Sequence, residues 1–172
     1  MTKNNQVHIS LGSNLGDRLR NLKRALKLIQ DHVGQVNKTS SIYETKSLGF
    51  KGPNFLNACV SIETKFSPDK LLKKLLEIET SVGRVRSSKR SLNSRIIDLD
   101  ILFYKEEIIL TEKLKIPHPR LENRNFVLYP MREIAPELIH PVSKITINSL
   151  IEKSNDNSIP LELTNQSILN LL

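Results

Sequence analysis

Apolar residues recur at helical spacing in two separate stretches flanked by β-branched runs, and that order of patterns limits the fold more than any other feature of the chain. Leu15, Leu19, Leu22, Leu26, Ile29 and Val33 follow one another at steps of four and three, the period of one buried helix face. Leu71, Leu72, Leu75, Leu76, Ile78 and Val82 form a second such face. It follows Ser67-Pro68-Asp69, in which serine caps, proline takes the first helical position and an acid sits in the first turn. Gly34 and Gly83 read as the helix stops. Four strands are predicted around these helices: VHISLG ending at Gly12, residues 36–45, FLNACVSIETKF and IIDLDILFY. Strand, helix, strand, strand, helix, strand points to an α+β, ferredoxin-like βαββαβ plan. Such a plan has an antiparallel-rich sheet with both helices packed on one face. Pro117, Pro119, Pro130, Pro136 and Pro141 mark a loop-rich C-terminal part with short helices. The tail from about Ile145 is weakly patterned and is expected to end in a short helix.

A chain of 172 residues suits a single domain, 1–172, with no internal repeat. There is no run of about 18 apolar residues and no apolar N-terminal leader, so the expectation is no membrane association and a cytoplasmic location. The single cysteine, Cys59, lies in the apolar run FLNACVSI and reads as a buried, inert thiol. A net charge of +8 calls for a polyanionic partner, either nucleic acid or a bound nucleotide. The cationic residues concentrate between Arg84 and Arg95, where RVRSSKRSLNSR carries no acid.

The sharpest chemical feature is Asp98 and Asp100 inside an apolar strand. Strand side chains alternate, so the two share a face, with Ile97, Leu99, Ile101 and Phe103 assigned to the other. Their Cα atoms then lie roughly 6–7 Å apart. Paired carboxylates repel unless a cation lies between them, and hard oxygen donors with few companions suit magnesium. Two solvated acids on a strand edge are the alternative. Arg84 and Arg86, two apart, could clamp phosphate bidentately or form a solvated charge run. His118 in IPHPR, Arg124 and Phe126 in ENRNF, and Phe55 and Asn57 in FLNAC admit both site and structural readings. Phe55 and Asn57 share a strand face, which permits ring stacking beside an amide hydrogen bond. The SLGSNLGDR loop matches neither a dinucleotide-binding nor a phosphate-loop pattern.

Taken together, GSNLGDR, SLGFKGPNFLNACV, ETSVGRVR, SRIIDLDILFY, IPHPRLENRNFVLYP and EIAPEL resemble the 6-hydroxymethyl-7,8-dihydropterin pyrophosphokinase family of folate biosynthesis. The resemblance runs in order from about residue 8 to 142 and leaves the tail from about 150 to 172 unassigned. It implies a ferredoxin-like domain, usually monomeric, that uses ATP and two Mg²⁺ ions on a dihydropterin alcohol. The alcohol oxygen attacks the β-phosphorus, giving AMP and the pterin pyrophosphate ester. By motif match, Asp98 and Asp100 would hold the metals, and Arg84 and Arg95 would contact the phosphates. Glu79, Arg86, Lys113, Leu114, Lys115, His118 and Arg124 would complete the ATP side. Phe55 and Phe126 would sandwich the pterin, Asn57 would bind its amide edge, and backbone groups near Thr45 and Leu48 would assist. The resemblance also leaves room for association with other folate-pathway enzymes. Members often carry a Trp-Gly-Pro-Arg run where this chain reads Ser91-Leu92-Asn93-Ser94-Arg95, and the chain has no tryptophan.

Two rivals have different chemistry. A basic ferredoxin-like RNA-binding module would fit the charge but normally displays sheet aromatics, and aromatic residues make up only 5% here. A DxD-type transferase using a sugar nucleotide would share the acidic pair but need no pterin. The ordered segments favour the pterin enzyme and no nucleic-acid partner.

Overall fold

The longest strand, β4 (Phe55–Thr64), organises the sheet in the computed structural model, which describes residues 4–84 and 94–164. On one side it pairs antiparallel with β1 (Asn5–Ser13), which pairs in turn with β5 (Asp98–Tyr104). On the other side β2 (Gln35–Thr39) and β3 (Ile42–Thr45) lie end to end along it. The stretch 36–45, expected as one strand, breaks at Ser40 and Ser41. There the Ser40 hydroxyl accepts from the Cys59 backbone N–H at 2.9 Å and donates to the Ser41 carbonyl. The sheet order β5-β1-β4-β3 is that of a ferredoxin-like fold, extended beyond β3 by β8 (Leu161–Thr164).

Alternation on these strands supplies two cores. Val7, Ile9 and Leu11 of β1 and Leu56, Ala58, Val60 and Ile62 of β4 face helices α1 (Arg18–His32) and α2 (Pro68–Val82). The opposite face carries Cys59, Leu102 and Phe103 against α3 (Asn125–Ile134) and α4 (Ile147–Lys153). Phe103 was expected beside Leu99 and Ile101, and its placement has a clear cause. The β1–β5 register jumps from Ile9↔Ile101 to His8↔Phe103, so Leu102 is an extra, bulged residue. Every side chain after it changes face, and Tyr104 joins the first core in place of Phe103.

Local chemistry sets the helix ends. The side chain of Asp17 caps α1 by accepting the Arg20 N–H at 3.0 Å, so Leu15 precedes the helix; Leu15 and Leu19 are both exposed. Gly34 serves close approach rather than a left-handed turn, because a Cβ there would lie 2.2 Å from the Glu63 carbonyl oxygen. Gly83 ends α2 as expected. In the tail α4 is followed by a strand, not expected from the sequence, that joins the main sheet; the short helix expected at the chain's end lies outside the described residues. A small hairpin of β6 (Ile109–Leu110) and β7 (Lys115–Ile116) follows β5. Among the described residues no helix is long and apolar enough to cross a membrane.

Candidate active site

Three strands meet at one end of the sheet with their registers fixed. Gly12 of β1 pairs with Asn57 on one side and with Asp98 on the other. The three residues form a row across the sheet, on the face away from α1 and α2. The next row runs Cys59, Ser10, Asp100. Glycine in the middle of the first row leaves its floor open between an amide and a carboxylate. A Cβ at Gly12 would come within 3.2 Å of Asn57 Oδ1 and 3.6 Å of the Phe55 ring.

A cleft of about 490 Å³ opens over these rows. Thr45, Leu48, Phe55, Asn57 and Phe126 line one end. Glu79, Arg84, Arg95, Asp98, Asp100, His118 and Arg124 line the other. Asn57 is buried, and its Nδ2 donates to Thr45 Oγ1 at 2.9 Å, leaving Oδ1 to accept from a ligand. Phe55 is braced edge-on by Phe50, and the Arg124 guanidinium lies 5.4 Å from the Phe126 ring centre.

At the acidic end, Arg84 follows directly on the Gly83 cap. Its Nη1 donates to both Glu79 and Asp98, while Arg95 Nη1 donates to the other Asp98 oxygen at 2.6 Å. Glu79 is 1% exposed and also accepts the Leu99 backbone N–H at 2.8 Å. Desolvation at the cleft floor, with the neighbouring Asp98 charge, pushes the Asp100 carboxyl up to about 7. A site that resists two negative charges gains from a cation. Among the described residues no group of three or more His, Cys, Asp or Glu forms a closed metal cage. The donors are two carboxylates on one strand face, a set that fits an ion completing its shell from water and phosphate.

His118 sits 4.0 Å from Asp100 through Nε2. Burial and the cations Arg124 and Arg120 lower its pKa to about 4, so the ring is neutral at pH 7. Its Nδ1 accepts the Arg120 N–H at 3.3 Å, so the ring proton is on Nε2, facing the acid. His118 therefore presents a neutral ring with its Nε2–H toward Asp100, at a distance longer than a hydrogen bond.

Not every anticipated residue reaches the cleft. Lys113 and Lys115 are exposed and Leu114 is buried in the first core, and none of the three lines it. Arg86 lies outside the described residues. Conversely, Leu72 and Leu76 line the cleft with Glu79; their i, i+4, i+7 spacing marks one stripe of α2 and was legible in the sequence. Asn14 is a residue that reading by motif left without a role. It is buried, exchanges two bonds with the Arg95 backbone, and donates through Nδ2 to Ser94 Oγ and the Pro53 carbonyl. It thus clamps the segment that delivers Arg95; only its place in the SNLGD turn hinted at this.

Comparison with known proteins bears on the same residues. Residues 8–136 match the family described as 7,8-dihydro-6-hydroxymethylpterin-pyrophosphokinase. A Haemophilus influenzae 2-amino-4-hydroxy-6-hydroxymethyldihydropteridine pyrophosphokinase is 44% identical over 155 residues, covering 89% of this chain and 95% of its own. The Aquifex aeolicus protein of the same name is 42% identical, covering 79% and 84%. The Pneumocystis carinii folic acid synthesis protein fol1 is 42% identical over 96% of this chain but only 23% of its own length. The chain thus spans about a quarter of that fungal relative. The fold also matches the Plasmodium falciparum HPPK-DHPS crystallised with pterin and p-hydroxybenzoate. The TM-score is 0.73 at 20% identity, over 89% of this chain and 44% of that one.

Proposed function

Because the chain belongs to the 7,8-dihydro-6-hydroxymethylpterin-pyrophosphokinase family, we propose that its cleft passes the pyrophosphate of ATP to a hydroxymethyldihydropterin, a step of folate biosynthesis. The observation that carries this reading is the row Asn57, Gly12, Asp98, which sets a heterocycle-binding amide beside a phosphate-handling carboxylate with open floor between them.

In this reading the pterin lies between Phe55 and Phe126, with its amide edge on Asn57 Oδ1 and the backbone near Thr45 and Leu48. The alcohol then projects over Gly12 toward the acidic end. Magnesium held by Asp98 and Asp100 supplies charge neutralisation for the triphosphate, with two ions implied by the resemblance. Arg84 and Arg95 turn from Asp98 toward phosphate oxygens, which arginine forks match bidentately. Arg124 adds a cation, and neutral His118 donates from Nε2 without adding charge. Attack by the alcohol oxygen on the β-phosphorus releases AMP, and the protein's contribution is position and electrostatics. Glu79 acts from behind by holding Arg84 and the strand. Arg86 and Lys113 to Lys115 are assigned to ATP on the resemblance alone. The monomeric state and any association with other folate-pathway enzymes likewise rest on the resemblance, whereas the single domain over 1–172 is proposed from chain length and the cytoplasmic location from composition.

Phosphorus NMR of the protein with MgATP and 6-hydroxymethyl-7,8-dihydropterin tests the reading. AMP and a pterin diphosphate ester are expected in equal amounts. ADP as the nucleotide product, or turnover without the pterin, would overturn it.

A further inference from the structure

The segment after α4 lies outside every motif that carries the family resemblance, yet it is bonded to the cleft's ring-bearing wall. Asp156 Oδ2 accepts the backbone N–H of Asn125 at 2.8 Å. In return Asn125 Nδ2 donates to the carbonyl oxygens of Asp156 at 2.6 Å and Ser158 at 2.7 Å. The segment is folded to do this: Asp156 Oδ1 accepts the Ser158 N–H at 2.9 Å, and the Asp156 N–H donates to Ser154 Oγ at 3.1 Å. Asn125, 5% exposed, opens α3 and stands between Arg124 and Phe126, both of which line the cleft. Helix α3 has no acid in its own first turn, and its capping residue Arg124 makes no side-chain cap bond. Asp156 therefore supplies, from 31 residues away, the acceptor and the negative charge that this helix start lacks. A second opening of about 460 Å³ lies beside the segment, lined by Asp156, Ser158 and Ile159 together with Thr45, Leu48 and Phe126, the last three shared with the cleft.

We propose that Asp156 is a positioning residue for the pterin end of the site: by holding Asn125 it fixes the Phe126 ring and the Arg124 guanidinium over the cleft. The inference rests on the reading above, in which Phe126 stacks on the pterin. Asp156 itself does not line the cleft. Its loss should therefore weaken pterin binding most, and ATP binding less and only through Arg124, because Glu79, Arg84, Asp98 and Asp100 are carried by other elements.

The test uses the full chain and steady-state kinetics with each substrate varied in turn. Asp156→Ala is expected to raise the pterin KM about tenfold and the ATP KM, through Arg124, by no more than about twofold. Asp156→Asn keeps one acceptor oxygen for the two N–H groups that the carboxylate serves and loses the charge, so it is expected to recover only part of that loss. Asn125→Ala removes the reciprocal bonds to the Asp156 and Ser158 carbonyls and should also raise the pterin KM, which keeps the test decisive if one variant folds poorly. Phe126→Ala should raise the pterin KM on its own, and adding Asp156→Ala to it should change little further. An unchanged pterin KM in Asp156→Ala, equal rises for both substrates, or additive effects with Phe126→Ala would overturn the proposal. An unchanged pterin KM in Phe126→Ala would instead remove the stacking role on which it stands.

Discussion

Glu79 accepts the backbone N–H of Leu99 at 2.8 Å, so a buried carboxylate on α2 is bonded to the strand at the point between the two aspartates. The same oxygen accepts from Arg84. Removing the carboxylate strands a backbone donor and deprives a half-buried guanidinium of a partner, and both losses are costly in a dry environment. Glu79→Ala is expected to lower unfolding stability by about 3 kcal/mol. Glu79→Gln retains the acceptor for Leu99 and should lose about 1 kcal/mol. Urea titration measures both; equal losses in the two variants would mean the Leu99 bond contributes nothing.

The aspartates separate function from stability. Asp98→Ala or Asp100→Ala is expected to reduce turnover by about a thousandfold or more while far-UV circular dichroism stays that of the folded chain. Near wild-type turnover in either would remove the metal assignment. Asp100 lies close to Asp98 with no cationic side chain bonded to it among the described contacts, so without magnesium its charge works against the fold. Asp100→Asn should therefore be at least as stable as the parent in chelator at pH 8, and lower stability there would contradict the repulsion.

These two sites show how far the sequence could be read. The acidic pair and the glycine-bounded helices are local patterns, and local patterns survive into structure because period and capping act over a few residues. The facing of Phe103 depends on a bulge at Leu102, which is a property of how β5 registers on β1 and has no mark in its own composition. The role of Asn14 is of the same kind, since its partners Arg95, Ser94 and Pro53 come from distant chain segments. The strand at residues 161–164 was illegible because its pattern is short and, among the described residues, it pairs only with β3. The placement of Leu114 in the core rather than at the cleft follows from the β6–β7 hairpin, again a matter of pairing.

His8 makes stability depend on acid. It is 3% exposed, edge-on to Phe103, and burial together with the Lys38 charge lowers its pKa to about 4. The unfolded chain, with a histidine near 6.5, binds the proton more readily than the fold does. Stability is therefore intact above about pH 6.5 and falls as pH drops toward 4, by about 3 kcal/mol for this residue. His118 and His140 shift the same way, so a single profile does not isolate it. The difference in unfolding free energy between the parent and His8→Leu does isolate it. That difference should move in favour of the variant as pH is lowered from 7 to 4, and a constant difference would contradict a neutral buried His8.

Gly12 offers the most direct probe of the row that joins the two halves of the site. Alanine suits a strand at least as well as glycine, so Gly12→Ala should not lower stability. Its methyl group would, however, lie 3.2 Å from Asn57 Oδ1, closer than an oxygen and a carbon settle comfortably. The contact is with the end of a side chain, and the amide can yield by a few tenths of an ångström. That shift moves the acceptor meant for the heterocycle edge while the Arg84, Arg95 and Asp98 cluster keeps its own bonds. The expected outcome is a pterin KM about fivefold higher, equivalent to about 1 kcal/mol, with the ATP KM unchanged and the urea midpoint at or above that of the parent. If the ATP KM rose instead, the open floor at Gly12 would belong to the phosphate path, and the division of the cleft into a pterin end and a phosphate end would have to be redrawn.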